Sequence, residues 1–134
     1  MKNYYFLILA FAFLISCVDK KQASKDLVKE GIKKNLNSDF NNALIDFTKA
    51  IEYDNSNPDA YFYRGNVKST LSDYKGAVID FDKAIELNPS FADAYCNRGD
   101  IKFMQGDKDG GCADYKKAEK LGKANLRDNT RLCK

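Results

Sequence analysis

The chain has 134 residues, of which 44% are apolar, 31% charged and 13% aromatic, a globular composition that excludes a disordered or collagen-like chain. Its 22 Lys and Arg against 19 Asp and Glu leave a net charge of +3. These charges are interleaved rather than gathered into a basic stripe, which speaks against nucleic acid as a partner. There is no histidine, so histidine-based triads and histidine-ligated zinc sites are excluded.

In chain order, Met1-Lys2-Asn3 precedes an apolar stretch from Tyr4 to Ile15, the pattern of a secretory signal. As a helix that stretch spans only about 18 Å, against a hydrocarbon core of about 30 Å, too short for a stable transmembrane anchor. Leu14-Ile15-Ser16-Cys17 then resembles the lipobox of bacterial lipoprotein signals. The resemblance implies a signal peptide over residues 1–16 and acylation of Cys17. The acyl chains would hold the protein to a membrane of the bacterial cell envelope, more than one chain being needed for stable anchoring. Residues 17–23 would be the lipidated cysteine and a short tether. A plain signal with an incidental cysteine is the alternative, and the choice between inner and outer membrane stays open.

From Ser24 onward the sequence repeats with a period of 34. Gly31, Gly65 and Gly99 share the register, as do Ala50, Ala84 and Ala118, and Phe47, Phe81 and Tyr115. So do Asp39, Asp73 and Asp107, then Asp46, Asp80 and Asp114, then Lys49, Lys83 and Lys117. Each unit reads as two helices. In the second, Asn57-Pro58 opens a helix and Ser72-Asp73 breaks and recaps the chain. Ala77, Val78, Phe81, Ala84 and Ile85 give the second helix its apolar spacing of three and four, and Asn88-Pro89 ends it.

Gly65, Tyr74, Ala77, Phe81, Ala84 and Pro89 match the signature of the tetratricopeptide repeat, with Tyr61 where that family often has tryptophan. The resemblance implies an all-α fold, an antiparallel helix-turn-helix solenoid of three repeats over 24–57, 58–91 and 92–125. Residues 126–134 would form a capping helix, Leu126 and Leu132 covering the open face of the last repeat. Asn55 stands where the family has proline. Lys108, Lys123 and Gly111, the last replacing alanine, predict a looser third repeat.

No constellation of catalytic residues emerges. Asp107, Asp109 and Gly110 start like a calcium loop, but its twelfth position is Ala118 rather than a bidentate glutamate. The pairs Asp46-Lys49, Asp80-Lys83 and Asp114-Lys117 read as a solvated face with small i,i+3 gains. No cofactor or metal site is expected, and an enzyme is the least favoured function.

The resemblance also implies a concave groove lined by the first helix of each repeat. It would carry Lys25, Val28, Ile32, Asn35 and Leu36, then Asp59, Phe62, Asn66, Ser69 and Thr70, then Asp93, Cys96, Asp100, Phe103 and Met104. Val28 and Ile32 occupy positions where chaperone-binding members clamp a peptide carboxylate, so such a clamp is not expected. The function implied is a protein–protein interaction scaffold, with a partner segment that offers apolar anchors to Val28, Ile32, Leu36, Phe62, Phe103 and Met104 and basic groups to Asp59, Asp93 and Asp100. Phe62 is expected to be a groove residue, dispensable for folding. Phe103 and Met104 have a second possibility, folding under the cap or the loop before Asp107. A purely structural subunit of a larger envelope complex is the rival function.

Beyond Cys17, Cys96, Cys112 and Cys133 are an odd number for an oxidising compartment. Cys112 falls on the side of its helix that faces the cap carrying Cys133, which suggests a Cys112–Cys133 bridge and a free Cys96 in the groove. Three free thiols are the alternative.

Overall fold

The computed structural model describes residues 2–123 and Cys133, with side chains from Asp19 onward. Among the described residues six helices follow in order: α1 Lys2–Leu36, α2 Phe40–Tyr53, α3 Pro58–Thr70, α4 Tyr74–Leu87, α5 Ala92–Met104 and α6 Lys108–Lys120. They pair as antiparallel hairpins α1–α2, α3–α4 and α5–α6, and the hairpins stack through α2 on α3 and α4 on α5. The odd-numbered helices also touch one another, α1 to α3 and α3 to α5, whereas α2 and α4 do not meet. The stack therefore curves with α1, α3 and α5 on its inner side.

Local sequence sets each hairpin. Ser38, Ser72 and Gly106 take positive φ of 61°, 65° and 86°, the left-handed turn that reverses the chain. The aspartate that follows starts the next helix. Asp73 accepts a hydrogen bond from the Gly76 amide and Asp107 from the Gly110 amide, whereas Asp39 is engaged by the Asn42 side chain instead. Asn57 caps α3 by accepting from the Asp59 amide. Its own amide donates to the buried Ser24 hydroxyl at 2.9 Å, tying α1 to the start of α3.

Small residues set the spacing inside each hairpin. A methyl group on Gly31 would stand 2.6 Å from the Phe47 ring, and one on Gly65 2.9 Å from the Phe81 ring. The aromatic rings occupy the space the glycines leave. Gly111 works the same way, and this corrects the expectation of a looser third repeat. A methyl there would fall 2.2 Å from the Phe103 ring. Phe103 fills that gap and stacks on Tyr115 at 5.3 Å.

Residues 18–23, expected as a short tether, continue α1 without a break, because nothing among Val18-Asp19-Lys20-Lys21-Gln22-Ala23 is a proline or glycine that would stop a helix. Among the described residues no helix is long and apolar enough to cross a membrane. The side chain of Cys17 and the proposed capping helix, Cys133 excepted, lie outside the described residues. The structure joins Cys112 to Cys133, Cα atoms 5.4 Å apart, and leaves Cys96 unbridged.

Candidate interaction surface

The sequence places fifteen side chains on the inner face of α1, α3 and α5, and the structure divides them into two groups. One group belongs to the core. Val28, Phe62 and Cys96 hold equivalent positions in the three repeats, and all are buried. Phe62 is only 8% exposed, and its ring meets Phe91 at 4.6 Å, Tyr63 at 5.2 Å and Phe81 at 5.9 Å. It fills the seam between repeats two and three and is no free groove anchor. Ile32 packs half-buried against the first core cluster. Phe103 lies between its own two helices, on Tyr115.

The second group remains accessible. Leu36, Thr70 and Met104 are equivalent positions in the last turns of α1, α3 and α5, and Leu36 and Met104 are 78% and 65% exposed. Lys25 and Asp59 are also exposed, at equivalent positions near the opposite ends of their helices. Asn66, Asn35 and Ser69 are half-buried. Asn97 donates to Asn66 at 2.7 Å and bridges repeats two and three across the inner face.

The other two groove carboxylates are engaged within the protein. Lys123 donates to Asp93, and the Tyr115 hydroxyl donates to Asp100. The hydrogen bond to Asp93 also holds the Lys123 ammonium above its ordinary pKa. Burial, reinforced by Asp100, raises the Cys96 thiol pKa, so this cysteine stays protonated and is a weak nucleophile.

The largest electrostatic feature is one the sequence reading misassigned. Asp46, Asp80 and Asp114 do not form a solvated i,i+3 face; all three are buried between the helices of their hairpins. Arg64 clasps Asp80 through Nε and Nη2 at 2.9 and 2.7 Å, and Lys68 adds a contact at 2.7 Å. Arg98 holds Asp114 in the same fork at 2.9 and 2.5 Å, with Lys102 at 2.9 Å. Each arginine also reaches back to the preceding repeat, Arg64 to Thr48 at 3.5 Å and Arg98 to Asp82 at 2.6 Å. The guanidiniums lie over Tyr61 and Tyr95 at 5.7 and 5.4 Å. Asp114, with Asp82 in support, raises the Arg98 pKa well beyond its ordinary value. The lysines once assigned to these pairs go elsewhere: Lys83 to Glu86 at 2.7 Å, and Lys117 over Tyr95. The 34-residue register of Arg64 with Arg98, and of Lys34, Lys68 and Lys102, was the signal that could have revealed the cross-helix partners.

Comparison with known proteins supports the repeat reading. A tetratricopeptide-repeat model matches residues 92–125, and a second TPR model matches residues 70–106. The first TPR of Spaghetti (RPAP3), solved bound to the HSP90 peptide SRMEEVD, is 25% identical with a TM-score of 0.78, covering 84% of this chain and 90% of that one. The Arabidopsis OM64 TPR domain is 23% identical with a TM-score of 0.80, covering 85% and 97%. The TPR2B domain of yeast Sti1, in a pHsp70 complex, is 21% identical with a TM-score of 0.76, covering 83% and 93%. No curated protein matches the chain. The fold is a helical solenoid of tetratricopeptide repeats, an architecture typically used for interaction rather than catalysis.

Proposed function

We propose that this solenoid is a non-enzymatic scaffold of the bacterial envelope, lipid-anchored through Cys17, that binds a segment of a partner protein on its inner face. The observation that carries the binding role is the row formed by Leu36, Thr70 and Met104. Among the described residues nothing covers the large apolar side chains of Leu36 and Met104, and exposed apolar groups beside polar ones often mark interaction sites. Asp59 is the groove carboxylate left facing solvent, so the partner segment pairs apolar anchors with a basic group. A peptide such as SRMEEVD, bound by the Spaghetti domain, is a poor match. Its acidic side chains would face Asp59, and Val28 and Ile32 here turn into the core rather than toward a carboxylate.

The envelope assignment rests on the lipobox resemblance and on the Cys112–Cys133 bridge, which suits an oxidising compartment. Closing a loop with 21 residues of separation contributes about 3 kcal/mol. The bridge would hold the end of the last repeat. Mass mapping under non-reducing conditions tests the pairing, and a disulfide containing Cys96 would refute it. Cys17→Ser should abolish acylation and processing; unchanged processing and detergent partitioning would remove the lipoprotein assignment.

The binding role is tested by selecting peptides from a displayed random library on the full chain. Enriched sequences should combine apolar and basic residues, and their binding should fall at least about tenfold in Met104→Asp and Asp59→Lys. Neither substitution should move the melting temperature. Equal binding to these variants would place the site elsewhere. The rival reading, a structural subunit joined through its outer surface, has its own observation. Ile45 and Ile79 hold equivalent positions on α2 and α4 and are half exposed. If Ile79→Asp abolishes association while Met104→Asp does not, the outer surface is the interface.

A further inference from the structure

The first repeat differs from the others on the face where a preceding hairpin would stack. In the inner repeats that face is apolar: Ala60 and Val67 on α3, and Ala94 and Ile101 on α5, are buried against the neighbour. The equivalent positions on α1 are Asp26 and Lys33, both exposed. No further repeat of this kind could pack on that face without burying unpaired charge.

The charges there are ordered. Lys21, Lys25, Lys29 and Lys33 recur every fourth residue along α1, all exposed, over about 18 Å. Lys29 reaches Asp26 at 3.3 Å on the surface. These four lysines outnumber the three carboxylates beside them, Asp19, Asp26 and Glu30. Next to the stripe, α1 and α2 enclose a shallow depression of about 600 Å³, floored by Ala23, Leu27 and Tyr53 and edged by Lys29 and Lys49 together with Asp26 and Glu30. Aromatic and aliphatic groups beside a stripe of lysines suit a boundary between water and lipid headgroups. The helix runs unbroken from Lys2, so the stripe begins one turn beyond Cys17 on the same rigid element.

We infer that this end face is a membrane-contact surface for anionic phospholipid headgroups, which lays α1 along the bilayer and turns the inner face of the solenoid sideways into the aqueous space. The inference rests on the proposed anchoring at the N-terminus, because tethering brings the stripe to the bilayer. A net excess of one positive charge near an anionic surface corresponds to roughly a fivefold preference over a neutral one at low salt. The contact weakens as salt screens it.

The test uses the full chain reconstituted into vesicles, with the Cys17 adduct read by intact mass so that anchoring and contact are scored separately. Amine-reactive labelling is followed residue by residue on phosphatidylcholine vesicles, with and without phosphatidylglycerol. Labelling of Lys21, Lys25, Lys29 and Lys33 should fall severalfold on the anionic vesicles relative to the exposed Lys75, and recover in high salt. In the variant Lys25→Glu/Lys29→Glu/Lys33→Glu, Lys21 and Lys49 should label equally on both vesicle types. Equal labelling of the wild-type stripe on neutral and anionic vesicles would overturn the inference, as would protection that persists in the triple variant. Absence of acylation with protection intact would overturn only the lipid anchor.

Discussion

Repeat one and repeats two and three bury the same carboxylate but satisfy it differently. Asp80 and Asp114 each receive a two-pronged arginine and a lysine, whereas Asp46 meets Lys34 at 2.5 Å. The arginine position of repeat one is Glu30. The reason lies in what each arginine does besides neutralising its aspartate: it crosses to the preceding hairpin. Among the described residues no hairpin stacks on the outer side of repeat one, and Glu30 sits at the depression on that open face. A planar guanidinium can fork one carboxylate and reach a second partner with its remaining donors, which a lysine ammonium cannot reproduce. The buried charge thus links hairpins in the interior and closes only its own hairpin at the end.

The position held by Val28, Phe62 and Cys96 gives the sharpest way to probe this difference. Phe62→Ala should destabilise the fold by about 4 kcal/mol, since the ring bridges two hairpins. Val28→Ala, in the cluster that α1 and α2 share with Ala60 and Val67 of α3, removes fewer atoms and should cost about 2 kcal/mol. Denaturant midpoints read both. A Phe62→Ala protein as stable as the wild type would return this residue to the groove.

A second contrast is between Ser69 with Ala77 and their equivalents Phe103 with Gly111. Gly111→Ala should cost about 2 kcal/mol, because the added methyl meets the Phe103 ring. Adding Phe103→Ser rebuilds the arrangement of the second repeat and should relieve that clash, with a coupling of about 1 kcal/mol. Additive losses would mean that the ring does not depend on the glycine.

Much of this was legible in the sequence. The 34-residue register carries the hairpins, and Asn57-Pro58, Ser72-Asp73 and Asn88-Pro89 mark boundaries that the structure keeps. What was not legible came from partners that only the packing of different helices brings together. Asp80 reads as a surface residue beside Lys83 until α3 brings Arg64 onto it. Phe62 reads as a groove residue until the next hairpin brings Phe91 onto its ring. The same holds for Gly111, which looks like a helix defect when its facing Phe103 is not considered.

The smallest contrast concerns the caps. Asp73→Ala removes a side-chain acceptor for the Gly76 amide and should cost about 1 kcal/mol. Asp39→Ala should cost a few tenths, since Asp39 is turned toward Asn42 rather than a helix amide. Equal losses would show that the first helix start is capped like the second.

The account depends most on the buried aspartates. Urea unfolding of Asp80→Ala and Asp46→Ala, run side by side, tests it directly. Asp80→Ala strands Arg64 and Lys68 in the interior and should cost about 3 kcal/mol. Asp46→Ala leaves a lysine that is 36% exposed and can return to water, so about 1 kcal/mol is expected. Equal losses, or a larger loss in Asp46→Ala, would contradict the claim that the arginine links are what distinguish the inner repeats from the first.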